Sequence, residues 1–205
     1  MLEVSLDGQK LKLLTKFSLL SDIIEEVRQF VPLQSVIVRI KINGEEIREE
    51  SWEVEISHQA DLIIEVETAD KYNYLSHRMQ LAASYLTQIS AEFSQASSDF
   101  SNDSSSLGNT ALATAIDNFL AFVHWYLALL ALDRPVLGDV LDQFRGHVVS
   151  IQQVCEQMLA QQIFENNWLV GEILRNKLVP ELERLHLYCQ DVSRGYLKNF
   201  TSSPE

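Results

Sequence analysis

The longest apolar stretch of the chain lies near its middle, at residues 111–132 (ALATAIDNFLAFVHWYLALLAL). Between Phe119 and Leu132 it is apolar on every side of a helix and is interrupted only by His124, whereas a helix at a protein surface keeps one polar face. A membrane span needs roughly 20 apolar residues in a row, and this run is shorter. The pattern predicts the central helix of a water-soluble helical bundle and no membrane association.

Two sets of large apolar side chains recur along this central helix. The first is an inward seam of Phe119, Val123, Tyr126 and Leu130. The second set lies behind the seam and consists of Phe122, Trp125 and Leu129. Burying a side chain of this class gains roughly 1.5–3 kcal/mol, so we expect the second set to bind a partner. A two-fold homodimer is favoured, because closed isologous pairs are the commonest oligomers. Packing beneath the N-terminal domain or against a neighbouring helix is the alternative.

Three further helices are predicted by apolar residues at steps of three and four. They run from Tyr72 to Phe100, from Leu137 to Met158 and from Leu174 to Tyr196. Pro180 should kink the last helix or mark a restart, because proline lacks the N–H donor for the preceding turn. Short connections between these helices predict an antiparallel four-helix bundle over residues 69–200.

Two segments of this second domain are predicted to be irregular. Residues 97–108 are rich in Ser, Asn and Asp, which favour turns and caps over helix interiors. We expect a mobile loop there and a disordered tail at residues 201–205.

The first 68 residues show the period-two alternation of β-strands. Leu2, Val4 and Leu6 alternate with polar residues. The pairs Asp7-Gly8 and Asn43-Gly44 follow such runs, and they favour hairpins because both turn positions need positive φ. A short amphipathic helix between them ends before Pro32. The predicted order is strand, strand, helix, strand, short strand, strand.

Three features follow one another along this domain: Asn43-Gly44-Glu45, then Trp52-Glu53, then a final strand from Asp61 to Val66. In that order they resemble the second half of small sulfur-carrier proteins of the ThiS/MoaD type. The resemblance implies a ubiquitin-like β-grasp fold for residues 1–68, in which Leu2–Leu6 pairs with Leu62–Val66. Family carriers act through a free C-terminal Gly-Gly, whereas this chain runs on through Thr68-Ala69-Asp70-Lys71. The fold class expected is therefore α+β, without sulfur-carrier chemistry.

The net charge of −13 bears on which partners are possible. Such a chain repels nucleic acid and anionic membranes and favours basic protein surfaces. Residues 45–67 are especially acidic, with Arg48 as their only base. We expect Glu49, Glu50 and Glu53 to steer a basic partner, although a solvated sheet face is an equal alternative.

Cysteine usage and the start of the chain indicate a compartment. Cys155 and Cys189 lie inside helical apolar patterns without metal-type spacing, which fits reduced thiols of a cytoplasmic protein. The first residues, MLEVSLDGQK, lack the basic residues and apolar run of a signal peptide. We therefore expect a cytoplasmic location.

Candidate chemistry is sparse. Glu183 and His186 form one E-x-x-H pair, but ferritin-like sites need two such pairs and further glutamates. No Ser or Cys lies in a glycine elbow, and no glycine loop suits phosphate. We predict no catalytic residue, no metal site and no cofactor.

Two functions follow from these patterns. The leading hypothesis is a non-enzymatic protein–protein interaction protein, such as an adaptor, assembly factor or chaperone-like protein. The alternative is a ligand- or metal-binding sensor or enzyme with a pocket in the bundle near His124, Asp117 and the Glu183/His186 pair. A set of histidines, one on each predicted helix, makes a metal site conceivable in that alternative: His77, His124, His147 and His186.

Overall fold

The computed structural model describes residues 2–13, 19–47, 62–102 and 104–201, with residues 199–201 described for the backbone only. The chain divides into two compact units, Met1–Tyr74 and Leu75–Glu205. The boundary lies a few residues beyond the predicted one, inside the first turns of a long helix rather than before it. Over the described ranges the structure is α+β, with a five-stranded mixed sheet and five helices if the last is counted as continuous.

The first unit is a sheet with one helix. Its elements are β1 (Leu2–Leu6), β2 (Gln9–Leu11), α1 (Leu20–Arg28), β3 (Ser35–Ile42), β4 (Glu45–Glu46) and β5 (Leu62–Asp70). The strand order is β2-β1-β5-β3-β4. Strands β1 and β5 are parallel and pair from Leu2↔Leu62 to Leu6↔Val66, while the other pairs are antiparallel. The predicted order of elements and the pairing of the first and last strands are confirmed.

Both predicted turns have the expected backbone. Asp7 and Asn43 have φ of 48° and 51°, and each is followed by a glycine with positive φ. The Asp7 side chain also fixes the first hairpin to β5, because its two carboxylate oxygens accept hydrogen bonds from the Thr68 N–H at 2.7 Å and the Thr68 hydroxyl at 2.6 Å. One face of the sheet then packs against α1, whose Leu20, Ile23, Ile24 and Val27 are buried.

The second unit is helical. Its elements are α2 (Lys71–Ser101), α3 (Ser105–Ala131), α4 (Arg134–Ile163), α5 (Asn167–Ile173), a π-helical turn (Leu174–Leu178) and α6 (Val179–Thr201). The last three form one continuous helical path. A π-turn immediately before Val179-Pro180 is one way for a helix to continue through proline, since the widened turn absorbs the missing donor. The sequence pattern predicted a kink or a restart of the helix at Pro180.

The predicted loop at residues 97–108 is too long, because most of this stretch is helical, and its mobility stays a prediction. Helix α2 continues to Ser101 and α3 starts at Ser105. Two serines of this stretch donate their hydroxyls to backbone carbonyls four residues earlier, Ser98 to Ser94 at 3.0 Å and Ser101 to Ser97 at 2.9 Å. Burial of Phe100 against Gly108 of α3 also holds the end of α2 in place. Tertiary contact thus overrides the local preference of serine for turns. Of the predicted tail at 201–205, Thr201 ends α6 and the rest lies outside the described residues.

The apolar helix α3 packs inside the second unit. Its ring cluster includes Tyr126, whose ring centroid lies 4.8 Å from that of Phe144 on α4 and 5.7 Å from that of Phe122. Within the described part of the chain, α3 is the one helix long and apolar enough to cross a membrane, with 39% of its most apolar window buried. The core helix of a water-soluble protein has the same properties.

Candidate functional site

The surface predicted on the back of α3 is covered. Phe122 and Leu129 are 5% and 3% exposed, and Trp125 is half-buried with its ring edge-on to Tyr85 of α2 at 5.3 Å. Helices α2 and α4 flank α3 on two sides, so together they cover this second set of side chains as well as the inward seam. The expectation of an open partner-binding face at these residues is wrong, and the alternative of packing against neighbouring helices is what occurs.

The remaining outer face of α3 is weakly apolar. Asp117, Leu120, His124 and Ala128 are exposed there. His124 and Asp117 therefore lie in water rather than forming a buried polar pair. Neither of them lines the groove at the Glu183/His186 pair.

The acidic surface of the first unit is partly neutralised. Glu49, Glu50 and Glu53 lie outside the described residues, so their steering role stays a prediction. On the open sheet face, Glu67 binds the Lys41 ammonium at 2.6 Å and the Arg39 guanidinium at 2.9 Å. The hydrogen bond from Lys41 is the main reason that the pKa of Glu67 is lowered. Arg39 also lies 3.4 Å from Glu46, so several acids here already have basic neighbours.

The Glu183/His186 pair borders a surface groove of about 390 Å³ between α2 and α6. The groove is lined by Leu86, Thr87, Ser90, Leu182, Glu183, His186 and Leu187. The two ring nitrogens of His186 lie 3.4 Å from the Thr87 hydroxyl and 2.8 Å from the Gln190 amide. The Thr87 hydroxyl also donates a hydrogen bond to the Ala83 carbonyl at 3.0 Å.

This groove does not assemble a metal site. Across the ranges that the structure describes, no group of three or more His, Cys, Asp or Glu side chains could hold a metal ion. His77 and His124 are exposed, while the His147 ring packs at 4.9 Å from Tyr188. The histidines that the sequence placed one on each helix are not brought together.

Both thiols are shielded. Burial raises the pKa of Cys189 to about 12, although the adjacent Tyr126 hydroxyl opposes part of that rise. Burial, together with the charge of Glu156, also raises the pKa of Cys155. The thiolate is the nucleophilic form of cysteine, so neither side chain is activated for covalent chemistry. The Tyr126 hydroxyl itself faces the Cys189 sulfur without any partner of good hydrogen-bond geometry among the described residues.

A surface that the sequence did not predict lies where α4 turns into α5. Four large apolar side chains within ten residues are more than half exposed: Leu159 (56%), Ile163 (72%), Phe164 (78%) and Trp168 (64%). We call this set the apolar corner. Its two aromatic side chains alone expose about 300 Å², and the largest patch on a typical monomer covers about 300–600 Å².

The turn at the corner has a defined backbone. The N–H of Glu165 bonds the Gln162 carbonyl at 2.9 Å and that of Asn166 bonds the Gln161 carbonyl at 3.1 Å. Glu165 has a φ of 54°, and these bonds together form a Schellman motif that ends α4. The Asn166 side chain then caps α5 by accepting from the Leu169 N–H at 3.3 Å. Ordered backbone on both sides therefore holds Phe164 and Trp168 at the surface.

The sequence carried a signal for this corner. The seam of α4 includes Ile151, Cys155 and Met158, and Leu159 and Ile163 fall outside it. Apolar residues off the seam of an otherwise polar outer face indicate an uncovered patch. Comparisons with protein-family models, curated proteins and solved structures give no match for this chain.

Proposed function

We propose that this chain is a non-enzymatic protein–protein interaction protein of the cytoplasm, and that it binds a protein partner through the apolar corner. The observation that carries the proposal is the exposure of Leu159, Ile163, Phe164 and Trp168 around one ordered turn. Aromatic residues are enriched at binding hot spots, and a patch of this size on a monomer is often functional.

The finer fold assignments belong to the same proposal. We propose a ubiquitin-like β-grasp fold for the first unit, supported by one helix packed on a mixed sheet with a parallel β1–β5 pair. We propose an antiparallel four-helix bundle for the second unit. Side-chain contacts between its successive neighbours support a closed ring of four helices: Asn118–Glu92 (2.8 Å), Gln162–Asn109 (3.2 Å), Tyr188–Val140 (2.8 Å) and Thr87–His186 (3.4 Å).

The proposal is tested by co-purification from the organism that encodes the chain. We expect a protein that co-elutes with the wild type to be lost with Phe164→Ser and with Trp168→Ser. Leu120→Ser is the matched control, because Leu120 is 49% exposed on α3 but lies outside both the corner and the groove at His186. Mass spectrometry identifies the protein, and its binding is then repeated with purified components.

Two results would count against this function. One is a partner that binds the Phe164→Ser and Trp168→Ser variants as tightly as the wild type. The other is equal loss with Leu120→Ser, which would indicate non-specific binding to exposed apolar side chains. The predicted homodimer stays a prediction, and the surface first assigned to it is buried.

The groove at His186 supports a second candidate function, the binding of a small molecule with an apolar part and a cationic group. Leu86 and Leu182 form its buried floor, and Glu183 supplies an exposed carboxylate at its edge. Ligand-observed NMR with a set of small alkyl amines tests this candidate. Binding that Glu183→Gln removes would support it, and the same weak binding to both proteins would refute it.

A further inference from the structure

We infer that the occupant of the apolar corner is a basic amphipathic helix of the partner protein. This inference rests on the proposed function of the corner as a docking surface and adds the chemistry of what docks there. The shape of the exposed stripe, the distribution of charge around it and the charge of the whole chain each favour such a partner.

The shape of the surface favours a helix. Gln152, Glu156, Leu159 and Ile163 are exposed and follow one another at steps of four, three and four along α4. A helix rises about 1.5 Å per residue, so this stripe is about 16 Å long. Helices pack well along such ridges, and a second helix laid beside α4 would reach Phe164 and Trp168 at its end.

The charge of the surface favours a basic partner. No Lys or Arg occurs between Arg145 and Arg175. Glu156 lies within the stripe and Glu165 lies in the corner turn, and both are exposed. Lysine or arginine side chains that flank an apolar face on the partner would therefore meet carboxylates on this chain.

One basic side chain contacts α4 on another flank of the helix. Lys177 donates a hydrogen bond to the Gln157 side chain at 2.7 Å. Successive residues of a helix are rotated by about 100°, so Gln157 and Leu159 lie on opposite flanks of α4. The cation of Lys177 is thus on the other side of the helix from the stripe, and it does not neutralise Glu156.

The same charges disfavour the other occupants. A second copy of this chain would bring Glu156 and Glu165 toward identical carboxylates in an isologous contact, and each copy carries a net charge of −13. An anionic membrane surface would be repelled for the same reason. A partner with positive charge around an apolar face has neither penalty.

The experiment uses two labelled helical peptides of about 16 residues, a length that covers the stripe. Both have leucines along one face; one carries lysines beside that face and the other carries glutamates in their place. Fluorescence anisotropy measures their binding to the full-length protein at about 50 and about 300 mM salt, since exposed charges are screened over this range. We expect the lysine peptide to bind at least about tenfold more tightly, and more weakly at high salt.

Variants then locate the site. Phe164→Ser and Trp168→Ser should each weaken the lysine peptide by about tenfold or more, as expected for a hot-spot side chain. Leu120→Ser should leave its affinity within about twofold. Glu156→Gln combined with Glu165→Gln should weaken the lysine peptide several-fold and reduce its salt dependence, while it leaves the glutamate peptide unchanged or slightly improved. Circular dichroism confirms that each variant is folded.

Several results would overturn the inference. For the peptides, they are equal binding of both, no binding of either, or the same loss of binding with Leu120→Ser. The other two are a wild-type dimer that Phe164→Ser dissociates and binding to vesicles that Trp168→Ser removes. If neither peptide binds while a native partner is still lost with Phe164→Ser, the basic-helix inference fails and the proposed docking function stands. If the native partner is also indifferent to Phe164→Ser, both fail.

Discussion

The middle of α3 and the turn between α4 and α5 are the two most informative apolar regions of the molecule, and they end in opposite environments. On α3, Phe122 and Leu129 are almost fully buried although they lie off the main seam. At the corner, Phe164 and Trp168 are largely exposed, and the residues around them in the sequence are rich in Gln and Asn. An apolar run therefore indicated burial, whereas scattered apolar residues in a polar context formed the exposed patch.

The contrast shows that neighbours decide what an apolar side chain does. Helix α3 is flanked by α2 through the Tyr85–Trp125 ring contact and by α4 through the Phe122–Phe144 contact. The outer face of α4 near Ile163 has no such neighbour among the described residues. Two flanking helices bury large side chains over much of the circumference of α3. The end of α4 is covered on one side only, so large side chains on its other side stay exposed.

The sharpest test of this contrast compares Phe144, which lies inside α4, with Phe164 at the C-terminal end of that helix. Phe144→Ala should lower the free energy of unfolding of the helical unit by about 3–5 kcal/mol, because Phe144 is fully buried against Tyr126 and its removal leaves a cavity. Phe164→Ala should change it by no more than about 0.5 kcal/mol. Urea unfolding followed by far-UV circular dichroism measures both.

The slope of the transition with urea serves as the control for this pair, since an unchanged slope means that the same surface is exposed on unfolding. A loss of several kcal/mol with Phe164→Ala would show that the corner is packed in solution. The contrast between the two regions would then be wrong.

The second test concerns the interior side of α5, the helix that also carries Trp168. A Cβ on Gly171 would lie 3.1 Å from the Ser97 carbonyl oxygen and 3.2 Å from the Phe100 Cβ. The Ser97 hydroxyl also donates to the Gly171 carbonyl at 2.8 Å, so α2 and α5 have little freedom to move apart. Gly171→Ala should lower the free energy of unfolding by about 1–2 kcal/mol despite the better helix propensity of alanine.

Gly146→Ala on α4 is the matched control for Gly171. A Cβ there meets nothing within 4 Å, so the substitution should raise the free energy of unfolding by about 0.5–1 kcal/mol. Opposite signs for the two glycines are the expected result in thermal or urea unfolding. The same stabilisation at both positions would mean that α2 and α5 are less closely packed than in the structure.

The third test uses the thiol of Cys189, which lies beside Tyr126 of α3. Its pKa is raised by burial from 9.0 to about 12, so the folded state keeps it protonated while the unfolded state ionises first. Stability from this group is complete below pH 9 and is lost as the pH rises from about 9 to about 12. Cys189→Ala should show a smaller loss of unfolding free energy over that range, and an identical alkaline profile would contradict the burial of the thiol.

The smallest effect is expected on the open sheet face of the first unit. The pKa of Glu67 is lowered by Lys41 and Arg39, so its contribution is present above the unfolded pKa of about 4.5 and is lost as the pH falls through the lower folded value. Glu67→Gln should remove this small acid-dependent part, as followed by thermal unfolding between neutral and acid pH. Glu65→Gln is the control, because Glu65 is exposed on the same strand. A larger change with Glu65→Gln than with Glu67→Gln would contradict the assignment.

The first unit shows how far local patterns reach. Alternating residues, the two turns with positive φ and one amphipathic helix predicted its elements in order, because each depends on the conformation of a few neighbouring residues. Pairing of β1 with β5 also followed from the pattern, since both strands place apolar residues toward α1. The acidic residues Glu49, Glu50 and Glu53 lie outside the described residues, and their proposed role stays a prediction.

The second unit shows where such reasoning stops. The serines near 97–108 favour turns in isolation, but α2 continues there because Phe100 packs on Gly108. The off-seam residues Leu159 and Ile163 were visible in the sequence as a pattern, yet nothing in the sequence stated that no helix would cover them. Both outcomes depend on residues that are distant along the chain.

The sequence by itself determined the α+β class, the helical periodicity of the second unit and the acidic charge of the chain, because periodicity and charge are properties of neighbouring residues and of composition. Only the tertiary structure decided that Phe122 and Leu129 are covered and that Phe164 and Trp168 are exposed. The physical reason is that burial depends on which helices lie side by side. That arrangement is set by the packing of all the helices together, and it assigns the interior to one apolar region and the surface to the other.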